Sequence, residues 1–390
     1  MEKPIDVRHM PASTQPIQFH VPYAGIESKY VDETLSTRQF DSRGPSSVAS
    51  LEMLRHLTGV ERILLTGSCT AALELVALTM DIGPGSEVIV PSYTFSSTAN
   101  AFLRAGATVR FADIDEESLC ITPATVEPLV TTATKSVVPV HYGGLPANTT
   151  GLNDLCSARG LWMIEDAAQA IGVQHDGRHL GTHGHAGAIS FHHTKNVHCG
   201  FGGLFIAGAD SVDFEKATFI WERGTDRSNI LKGIADKYTW REVGGSFELG
   251  ELAASVLRGQ LEHLDRITAM RASLFDTYAL GLREMVVRER LRLLTPGPKT
   301  SWNYHAAIVV FATPNEAETA RVALQSAEIA AYIGYVPLHS SPHGRRLGNR
   351  PEDLPVTEAL FPRILRLPLH TEMTAEDALR VCRVVSEASG

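Results

Sequence analysis

The sequence predicts an α/β protein with a mostly parallel central sheet, followed by a smaller α+β lobe. Two observations support this prediction. Short apolar runs alternate with helical stretches between residues 62 and 165, and this succession is typical of parallel sheets. The apolar runs are continuous rather than alternating, as expected of strands that helices cover on both faces.

The elements of the first part are predicted by these apolar runs and by the helical periodicity between them. Strands are predicted at 62–66, 87–90, 108–112, 136–140 and 161–165, and helices at 69–80, 96–104, 123–131 and 152–159. Because ligands bind outside the carboxyl ends of strands in open α/β sheets, the residues that follow each strand are the candidates for a site.

The later part of the chain has a different pattern. A long helical stretch begins at residue 247 and runs to about residue 282, with Gly259 as its only internal breaker. The smaller lobe is predicted from a strand at 304–311 and helices at 315–327 and 374–389. We therefore expect three parts, namely an N-terminal arm at 1–17, a large domain at 18–262 and a small domain at 263–390.

Composition limits the class of protein. The chain has 390 residues, of which 44% are hydrophobic and 20% charged, and this balance is ordinary for a globular protein. The formal net charge of −9 gives no basic face for nucleic acid. Five cysteines without CxxC spacing indicate neither a disulfide framework nor a cysteine-rich zinc site, and fit a reduced setting. Without a signal-peptide core or an apolar run of ~18–20 residues, we expect a cytoplasmic protein and no membrane partner.

Two segments at strand ends have the residue types of a cofactor site. Small residues at 67–71 (GSCTA) let backbone N–H groups at a helix N-terminus approach an anion such as phosphate, although the same turn also serves as a structural cap. Asp166 follows the strand LWMIE and could keep a pyridinium nitrogen protonated under a cationic ring. Its alternative role is to cap the next helix.

Lys195 lies between an apolar strand and the glycine-rich turn at 200–203. Partial burial there would lower the pKa of the lysine and free its amine as a nucleophile. A lone lysine is usually a solvated surface residue, but Asp166 and the phosphate turn precede this one in the expected topological positions. Tyr93 follows another strand and could stack on a planar ring, or it could be a core aromatic residue.

Other kinds of site find less support. The histidines at 175, 179, 183, 185, 192, 193 and 198 raise the possibility of a metal site, but their spacing matches no HExxH or finger pattern, and we predict none. The Gly83-Pro84-Gly85 sequence lacks the third glycine of a dinucleotide loop, and no GK[ST] sequence indicates an NTPase.

Five ordered segments, GSCTAALELVAL, PSYTFSSTANAF, PVHYGG, IEDAAQAIG and SFHHTKN, resemble the DegT/DnrJ/EryC1/StrS sugar aminotransferases. The resemblance runs from about Ile17 to the C-terminus. It implies an enzyme that depends on pyridoxal 5'-phosphate (PLP), with the fold-type I architecture of aspartate aminotransferase. The segments ERGTDRSNILKG and DKYTWREVGGSFELGELAA resemble the branch that acts on dTDP-4-keto-6-deoxyglucose, with glutamate as the amino donor by analogy.

The resemblance also implies roles for particular residues. Lys195 would hold PLP as a Schiff base and then act as general acid and base, Asp166 would pair with the pyridinium nitrogen, and Gln169 would bond to the ring hydroxyl. Tyr93 would stack on the ring. The phosphate would be held by Cys69, Thr70 and Ser190. Ser246 matches the position of an asparagine that many relatives bring from a neighbouring subunit, which implies a homodimer with active sites at the interface.

The substrate side is less marked in the sequence. The diphosphate of a nucleotide sugar needs cations, and Arg223 and Arg227 are candidates. The segment that contains Tyr335 and His339 resembles the substrate-side loop of the family. The turn after Lys195 departs from the family because Phe201 replaces an acidic residue. The alternative functions are a 3-keto-sugar aminotransferase and a non-catalytic regulatory protein on the same scaffold. Related sugar dehydratases have histidine in place of this lysine, so Lys195 favours transamination.

Overall fold

A computed structural model describes residues 15–388 except 232 and 235. The first part of the chain supplies nine strands, β1 (Ile63–Thr66), β2 (Glu87–Pro91), β3 (Thr108–Ala112), β4 (Thr134–Val137), β5 (Trp162–Asp166), β6 (Gln174–His175), β7 (Arg178–His179), β8 (Ala186–Ser190) and β9 (Gly203–Ala207). Its helices among the described residues are α1 (Glu27–Thr37), α2 (Pro45–Thr58), α3 (Cys69–Thr79), α4 (Ser96–Arg104), α5 (Pro123–Val126), α6 (Thr149–Arg159), α7 (Phe214–Trp221), α8 (Arg227–Leu231) and α9 (Glu251–Glu262).

Seven of these strands form one mixed sheet in the order β1-β9-β8-β5-β4-β2-β3. Strands β3, β2, β4, β5 and β8 are parallel neighbours, whereas β9 pairs antiparallel with both β1 and β8. The carboxyl ends of the parallel strands therefore lie at one edge of the sheet. Helix α3 follows β1 and contacts β8 and β9, so its N-terminus lies close to the ends of the central strands.

The five predicted strands of this sheet are present, with shifted ends. The fourth one covers Thr134–Val137 rather than 136–140, and Pro139 and Val140 continue only as an irregular segment that pairs with Asp166. The helix predicted at 123–131 is shorter, since α5 ends at Val126 and a 3₁₀ turn follows it. The mostly parallel α/β sheet is confirmed, and the antiparallel β9 is an addition to the prediction.

The predicted long helix is two helices, and the break between them is not at Gly259. The structure has α9 up to Glu262 and a separate α10 (Leu264–Gly281), with His263 between them in a non-helical conformation. His263 contacts the segment before α1, where its Nδ1 is 2.9 Å from the hydroxyl of Tyr23. Gly259 lies inside α9, and α1 passes so close to it that a Cβ there would lie 3.0 Å from the Cα of Glu27.

The remaining elements build a second, four-stranded sheet. They are α11 (Arg283–Val287), β10 (Leu291–Leu293), β11 (Thr300–Ser301), β12 (Ala307–Phe311), α12 (Pro314–Ser326), β13 (Tyr332–Ile333), α13 (Pro342–Arg346), α14 (Pro355–Leu360), β14 (Ile364–Leu367) and α15 (Ala375–Ala388). The strand order β10-β12-β14-β13 is antiparallel throughout. Strand β11 instead pairs with β6 of the first part, and the apolar core includes residues of both parts.

The proposed domain boundaries coincide with some of these features. The division between 262 and 263 falls at the break between α9 and α10, and it stays a proposal. Residues 1–14 of the predicted arm lie outside the described residues. At the end of that arm, Ile17 is buried and forms an isolated parallel bridge with Ile329, which lies between α12 and β13. None of the described helices has both the length and the apolar character needed to cross a membrane.

Candidate active site

A cavity of about 580 Å³ lies where the carboxyl ends of β5 and β8 face β14 of the second sheet. The N-terminus of α3, the loop before α4 and the turn after β8 complete its walls. The lining includes Phe19, His20, Ser68, Cys69, Thr70, Phe95, Ser97, Asp166, Gln169, Ser190, His192, Thr194, Lys195, Phe201, Arg271, His305, Tyr335 and Arg366. The structure therefore brings Cys69, Thr70, Asp166, Gln169, Ser190, Lys195 and Tyr335 together, as the sequence predicts.

The N-terminus of α3 forms one wall. Ser68 is its extended cap and accepts a hydrogen bond from the amide of Ala71, and the hydroxyl of Thr70 donates to Ser97 at 2.7 Å. Burial, together with the charge of Asp166, raises the pKa of the Cys69 thiol well above its ordinary value, so this side chain stays neutral. An 11-residue helix whose N-terminus opens into a cavity offers unpaired amides and a favourable dipole to an anion.

The carboxylate of Asp166 is buried and held in place by two donors. The hydroxyl of Thr98 donates to its Oδ2 at 2.7 Å, and the amide of Ala168 donates to its Oδ1 at 3.1 Å. Thr98 lies on α4, so that helix orients the carboxylate at the end of β5. Asp166 is therefore fixed at the cavity wall and does not cap a following helix.

A second buried carboxylate supports this strand from behind. Glu165 accepts hydrogen bonds from the amides of Gly181 and Gly184 and from Nε2 of His141. Although burial alone would raise the pKa of Glu165, the hydrogen bond from His141 holds it below its ordinary value. His141 in turn accepts from Ala147 and donates its backbone amide to the carbonyl oxygen of Asp166. Hydrogen bonds to Glu165 and to the backbone of Asp166 therefore fix the end of β5 in place.

The pKa of the Lys195 amine is lower than that of an ordinary lysine. Burial lowers the pKa of its amine to about 8, against the opposing influence of Cys69 and Asp166, while Arg366 lowers it further. A lysine ordinarily titrates near 10.4, so a much larger share of this amine is neutral near neutral pH. A neutral amine is a nucleophile and a base.

Gln169 is oriented by hydrogen bonds at both ends of its amide. Its Oε1 accepts from the amide of Gly143 at 2.6 Å, and its Nε2 donates to the hydroxyl of Tyr335 at 2.8 Å. Burial raises the pKa of Tyr335 above its ordinary value, so the phenol remains protonated. The two side chains form one fixed polar edge of the cavity.

The aromatic residue that lines the cavity is not the one that the sequence predicted. Tyr93 is buried in the core with 1% of its surface exposed, packs edge-on against Tyr142, and is not part of the cavity lining. Phe95, two residues later, lines the cavity and is 59% exposed. The sequence PSYTF contains two aromatic residues. The position of Phe95 directly before the first turn of α4 was the sequence feature that could have indicated the second one.

His339 is also not where the sequence prediction placed it. The ring is fully buried, its Nδ1 is 2.7 Å from the hydroxyl of Ser92, and its Nε2 faces the carbonyl oxygen of Pro351 at 3.3 Å. These contacts join the end of β2 to the loop before α14. His339 is therefore a structural residue outside the cavity lining, and the expectation that it contacts substrate is wrong for this chain's own cavity.

The remaining predicted residues lie outside this cavity. Arg223 has a positive φ of 64° and is ion-paired with Glu248, while Ser246 forms an isolated bridge with Glu222. Neither residue, nor Arg227, lines the cavity of its own chain. A contact of these residues with a neighbouring subunit stays a prediction.

The histidines serve separate local contacts. Nε2 of His179 accepts from the amide of Gly172, and Nδ1 of His185 accepts from that of Met163. His198 donates to the carbonyl oxygen of Tyr23. Within residues 15–388 as the structure describes them, no three His, Cys, Asp or Glu side chains form a group that could hold a metal ion.

Arg366 and Arg271 are cavity residues that the sequence reasoning missed. A signal for Arg366 was present, since it is the one charged residue in the otherwise apolar run ILRLPL of β14. A charge in such a strand needs a partner. Phe201, noted in the sequence as a departure, reaches the cavity mouth, where its ring packs edge-on against His192.

Comparison with known proteins identifies the relatives of this chain. The sequence pattern of the DegT/DnrJ/EryC1/StrS aminotransferase family matches residues 24–386. A protein of Acidithiobacillus ferrooxidans named UDP-N-acetyl-3-dehydro-alpha-D-glucosamine 3-aminotransferase is 32% identical over 335 residues, which cover 84% of this chain and 85% of the relative.

Solved structures share the fold over nearly the whole chain. DesV of S. venezuelae, solved in complex with a ketimine intermediate, is 29% identical with a TM-score of 0.86, and the match covers 96% of this chain and 98% of DesV. The PLP form of a putative sugar aminotransferase from Streptococcus pneumoniae has a TM-score of 0.87 at 23% identity, covering 96% and 99% of the two chains.

Proposed function

The chain belongs to the DegT/DnrJ/EryC1/StrS aminotransferase family, and we propose that it transfers an amino group from L-glutamate to a nucleotide-linked keto-sugar, dTDP-4-keto-6-deoxy-D-glucose. The product would be a dTDP-4-amino-4,6-dideoxyhexose. Enzymes of this family depend on PLP. The observation that supports the proposal most is that one cavity contains the amine, the carboxylate and the anion site that PLP requires.

The residues present fit this cofactor. The amides at the N-terminus of α3, with Ser190, would hold its phosphate, and the buried carboxylate of Asp166 would pair with its ring nitrogen. Gln169 would bond to the ring hydroxyl, and the exposed ring of Phe95 offers a face for stacking. When bound, the cofactor withdraws electrons from the carbon that loses a proton.

Lys195 would perform the proton transfers. It would hold the cofactor covalently at rest, and its amine would be released when the donor's amine takes its place. The neutral Nζ would then accept the α-proton of the donor and later deliver a proton to the cofactor, and both steps reverse with the keto-sugar. A pKa of about 8 suits a group that must alternate between the two forms near neutral pH.

The position of the keto group separates two candidate substrates. The segments at 222–233 and 236–254 resemble the 4-keto-sugar branch, which favours dTDP-4-keto-6-deoxy-D-glucose. The Acidithiobacillus relative is named for a 3-keto sugar carried by UDP, and this observation favours a 3-keto-sugar nucleotide as the second candidate. Both reactions need the same cofactor chemistry, so they differ only in how the sugar is presented.

We also propose that the active unit is a homodimer. Ser246 would reach the phosphate site of the partner chain, as the matching position does in relatives. Nearby on the same segment, Trp240 and Val243 leave 78% and 72% of their surfaces exposed. Ile234 and Tyr238 of the same segment are also exposed, and a group of exposed large apolar side chains on one segment, unlike a single one, marks an interaction surface.

Absorption spectroscopy of the two half-reactions tests the proposal. Purified protein loaded with PLP is mixed with L-glutamate, and the spectrum is followed before and after addition of either keto-sugar nucleotide. We expect glutamate to shift the cofactor band and dTDP-4-keto-6-deoxy-D-glucose to restore it. NMR of the sugar product should then show an amino group at C4. Lys195→Ala should show neither step, whereas Lys135→Ala, which removes an exposed lysine of β4, should behave as wild type.

Each other outcome has a defined meaning. Faster restoration by the UDP-linked 3-keto sugar, with the product aminated at C3, would replace the first candidate substrate by the second. A glutamate response without any response to either sugar would reject both substrates. If Lys195→Ala turned over like wild type, the catalytic assignment would be wrong.

A further inference from the structure

Arg366 lies in the cavity with no acidic partner. It belongs to β14, lines the same cavity as Lys195, and its Nε is buried without a hydrogen-bond partner. Among the described residues, its guanidinium makes no hydrogen bond and no ion pair. A buried guanidinium nitrogen without a partner is costly, so the position of Arg366 indicates a group that arrives with the substrates.

The charges of the cavity have an excess of cations on this side. Lys195, Arg271 and Arg366 line it, and Asp166 is the one carboxylate among its lining residues. The side chain of Arg271 is already used, because it donates to the carbonyl oxygens of Tyr304 and His305. Burial and the charge of Arg366 lower the pKa of Arg271 to about 9. Two guanidinium groups that line one cavity are stable together when an anion lies between or beside them.

The neighbouring histidines do not add to this charge. Burial lowers the pKa of His20 to about 4 and that of His305 well below its ordinary value. Both rings are therefore neutral near pH 7. The free positive charge on this wall is that of Arg366.

Aromatic packing holds Arg366 in position. Its guanidinium lies over the ring of Phe19 at 5.3 Å, and Phe19 packs edge-on against Tyr332 at 4.9 Å. Tyr332 is also the cross-strand neighbour of Arg366 in the small sheet. A guanidinium fixed by its face keeps its N–H edge available for a planar, bidentate partner such as a carboxylate.

This position is distinct from the proposed phosphate site. Arg366 lies on β14 of the four-stranded sheet, whereas the proposed phosphate site is the N-terminus of α3, which follows β1 of the seven-stranded sheet. The cavity thus offers two anion sites, one at the helix N-terminus and one at β14. The cofactor's phosphate needs one of them.

We propose that Arg366 binds a carboxylate of the amino donor and is the residue that distinguishes the donor from the sugar. The inference rests on the proposed function, in which both substrates occupy this cavity in turn. An amino acid carries a carboxylate next to the carbon that reacts, whereas the reacting end of a keto-sugar is uncharged. Arg366 therefore contributes to the glutamate half-reaction and not to the sugar half-reaction.

Separate measurement of the two half-reactions tests this proposal. Arg366→Gln removes the charge, and Arg366→Lys keeps the charge but loses the planar pair of N–H donors that a carboxylate can bind with two hydrogen bonds. Arg363→Gln is the matched control, since Arg363 lies three residues earlier, bonds to the carbonyl oxygen of Phe311, and is outside the cavity. For Arg366→Gln we expect kcat/KM of the glutamate half-reaction to fall about 10- to 100-fold, the loss of one charge-assisted hydrogen-bonded contact. The lysine variant should lie between it and wild type.

The sugar half-reaction of all variants should stay within about threefold of wild type, far below a tenfold change. Binding of glutarate, a dicarboxylate that cannot donate an amine, is measured by calorimetry on the PLP-loaded proteins as a readout independent of turnover. We expect Arg366→Gln to weaken it by the same factor and Arg363→Gln to leave it unchanged. Equal loss in both half-reactions, or unchanged glutarate binding in Arg366→Gln, would overturn the proposal. If Arg366→Gln lost glutarate binding while the wild type turned over neither substrate, the proposed function would be rejected and the carboxylate site would be retained.

Discussion

At the scale of the residue, the site depends on a lysine whose surroundings oppose its charge. Lys195 lies partly desolvated in the cavity, with Asp166 favouring its protonated form and Arg366 opposing it. Burial is the largest of these influences, and it lowers the pKa. The amine is therefore ready to react at a pH where a lysine in water is protonated.

The pH dependence of cofactor capture follows from this shift. Because only the neutral amine attacks an aldehyde, the rate of covalent PLP attachment to the apoprotein should rise with pH and level off above about 8. Mass spectrometry after borohydride reduction measures the attached fraction over time. A rate that continued to rise to pH 10 would show an ordinary lysine and contradict the shift, and Lys195→Ala sets the background.

The same desolvation has a consequence for stability, with a sign that can be worked out. In the unfolded chain the lysine titrates near 10.4, and in the folded protein near 8. Between these two values the unfolded state binds more protons, so this group makes folding more favourable as the pH rises through that window. Its burden on stability is largest below about pH 8, where the amine is protonated while buried.

At the scale of the element, the phosphate wall depends on a close contact between α3 and β9. Gly203 is the first residue of β9, opposite Thr66 of β1. A Cβ at this position would come within 2.5 Å of the backbone nitrogen of Cys69 and closer still to the carbonyl carbon of Ser68. The antiparallel strand therefore lies directly against the helix start, and backbone atoms cannot move aside as a flexible side chain would.

Gly203→Ala should disturb both the fold and the cofactor site. We expect the free energy of unfolding to fall by about 1–3 kcal/mol, as in overpacked cores, and PLP to bind more weakly because the start of α3 is displaced. Denaturant unfolding and a fluorescence titration with PLP measure the two effects. Gly297→Ala is the control, since its Cβ would meet no atom within 4 Å. Normal PLP affinity in Gly203→Ala would show that the amides of α3 do not hold the phosphate.

The pair α9 and α10 shows how a contact decides where a helix ends. The sequence pattern predicted one long helix weakened at Gly259, because glycine is a poor helix former. The actual break is at His263, where the segment around Tyr23 contacts the ring. Gly259 is needed for the close passage of α1, so it serves packing between helices rather than helix termination.

At the scale of the whole molecule, the cavity is assembled from both sheets. The end of β5 supplies Asp166, the turn after β8 supplies Lys195, and β14 of the second sheet supplies Arg366. The apolar core continues between the two parts. The amine and the proposed carboxylate site therefore keep a fixed relation only while the two parts stay packed together.

The proposed homodimer leads to a prediction about assembly. Sedimentation should give the mass of two chains, and Val243→Asp should shift the equilibrium toward one chain because a charge would be buried at the interface. Val287→Asp is the matched control, since this valine of α11 is 73% exposed against 72% for Val243. The dissociated variant should also bind PLP more weakly if Ser246 reaches the partner's phosphate site. Wild type that sediments as one chain, or equal behaviour of the two variants, would contradict the dimer.

The sequence by itself determined the central sheet, the family and the residues that follow its strands. Cys69, Asp166 and Lys195 each lie at a strand end, and strands and helices are specified by local periodicity. Since carboxyl ends of parallel strands meet at one edge, their shared location could be predicted without the structure. Ser190 and Gln169 were implied by the family resemblance of the same segments.

The tertiary structure alone decided which neighbouring side chains face the cavity. Tyr93 and Phe95 are two residues apart, and only the packing of Tyr142 and the start of α4 sends the first into the core and the second to the cavity. Arg366 and Lys195 line the same cavity although 171 positions of sequence separate them. His339 is held outside the cavity by its contact with Ser92. These placements depend on contacts between distant segments, whose free energies are set by packing and burial rather than by any local pattern.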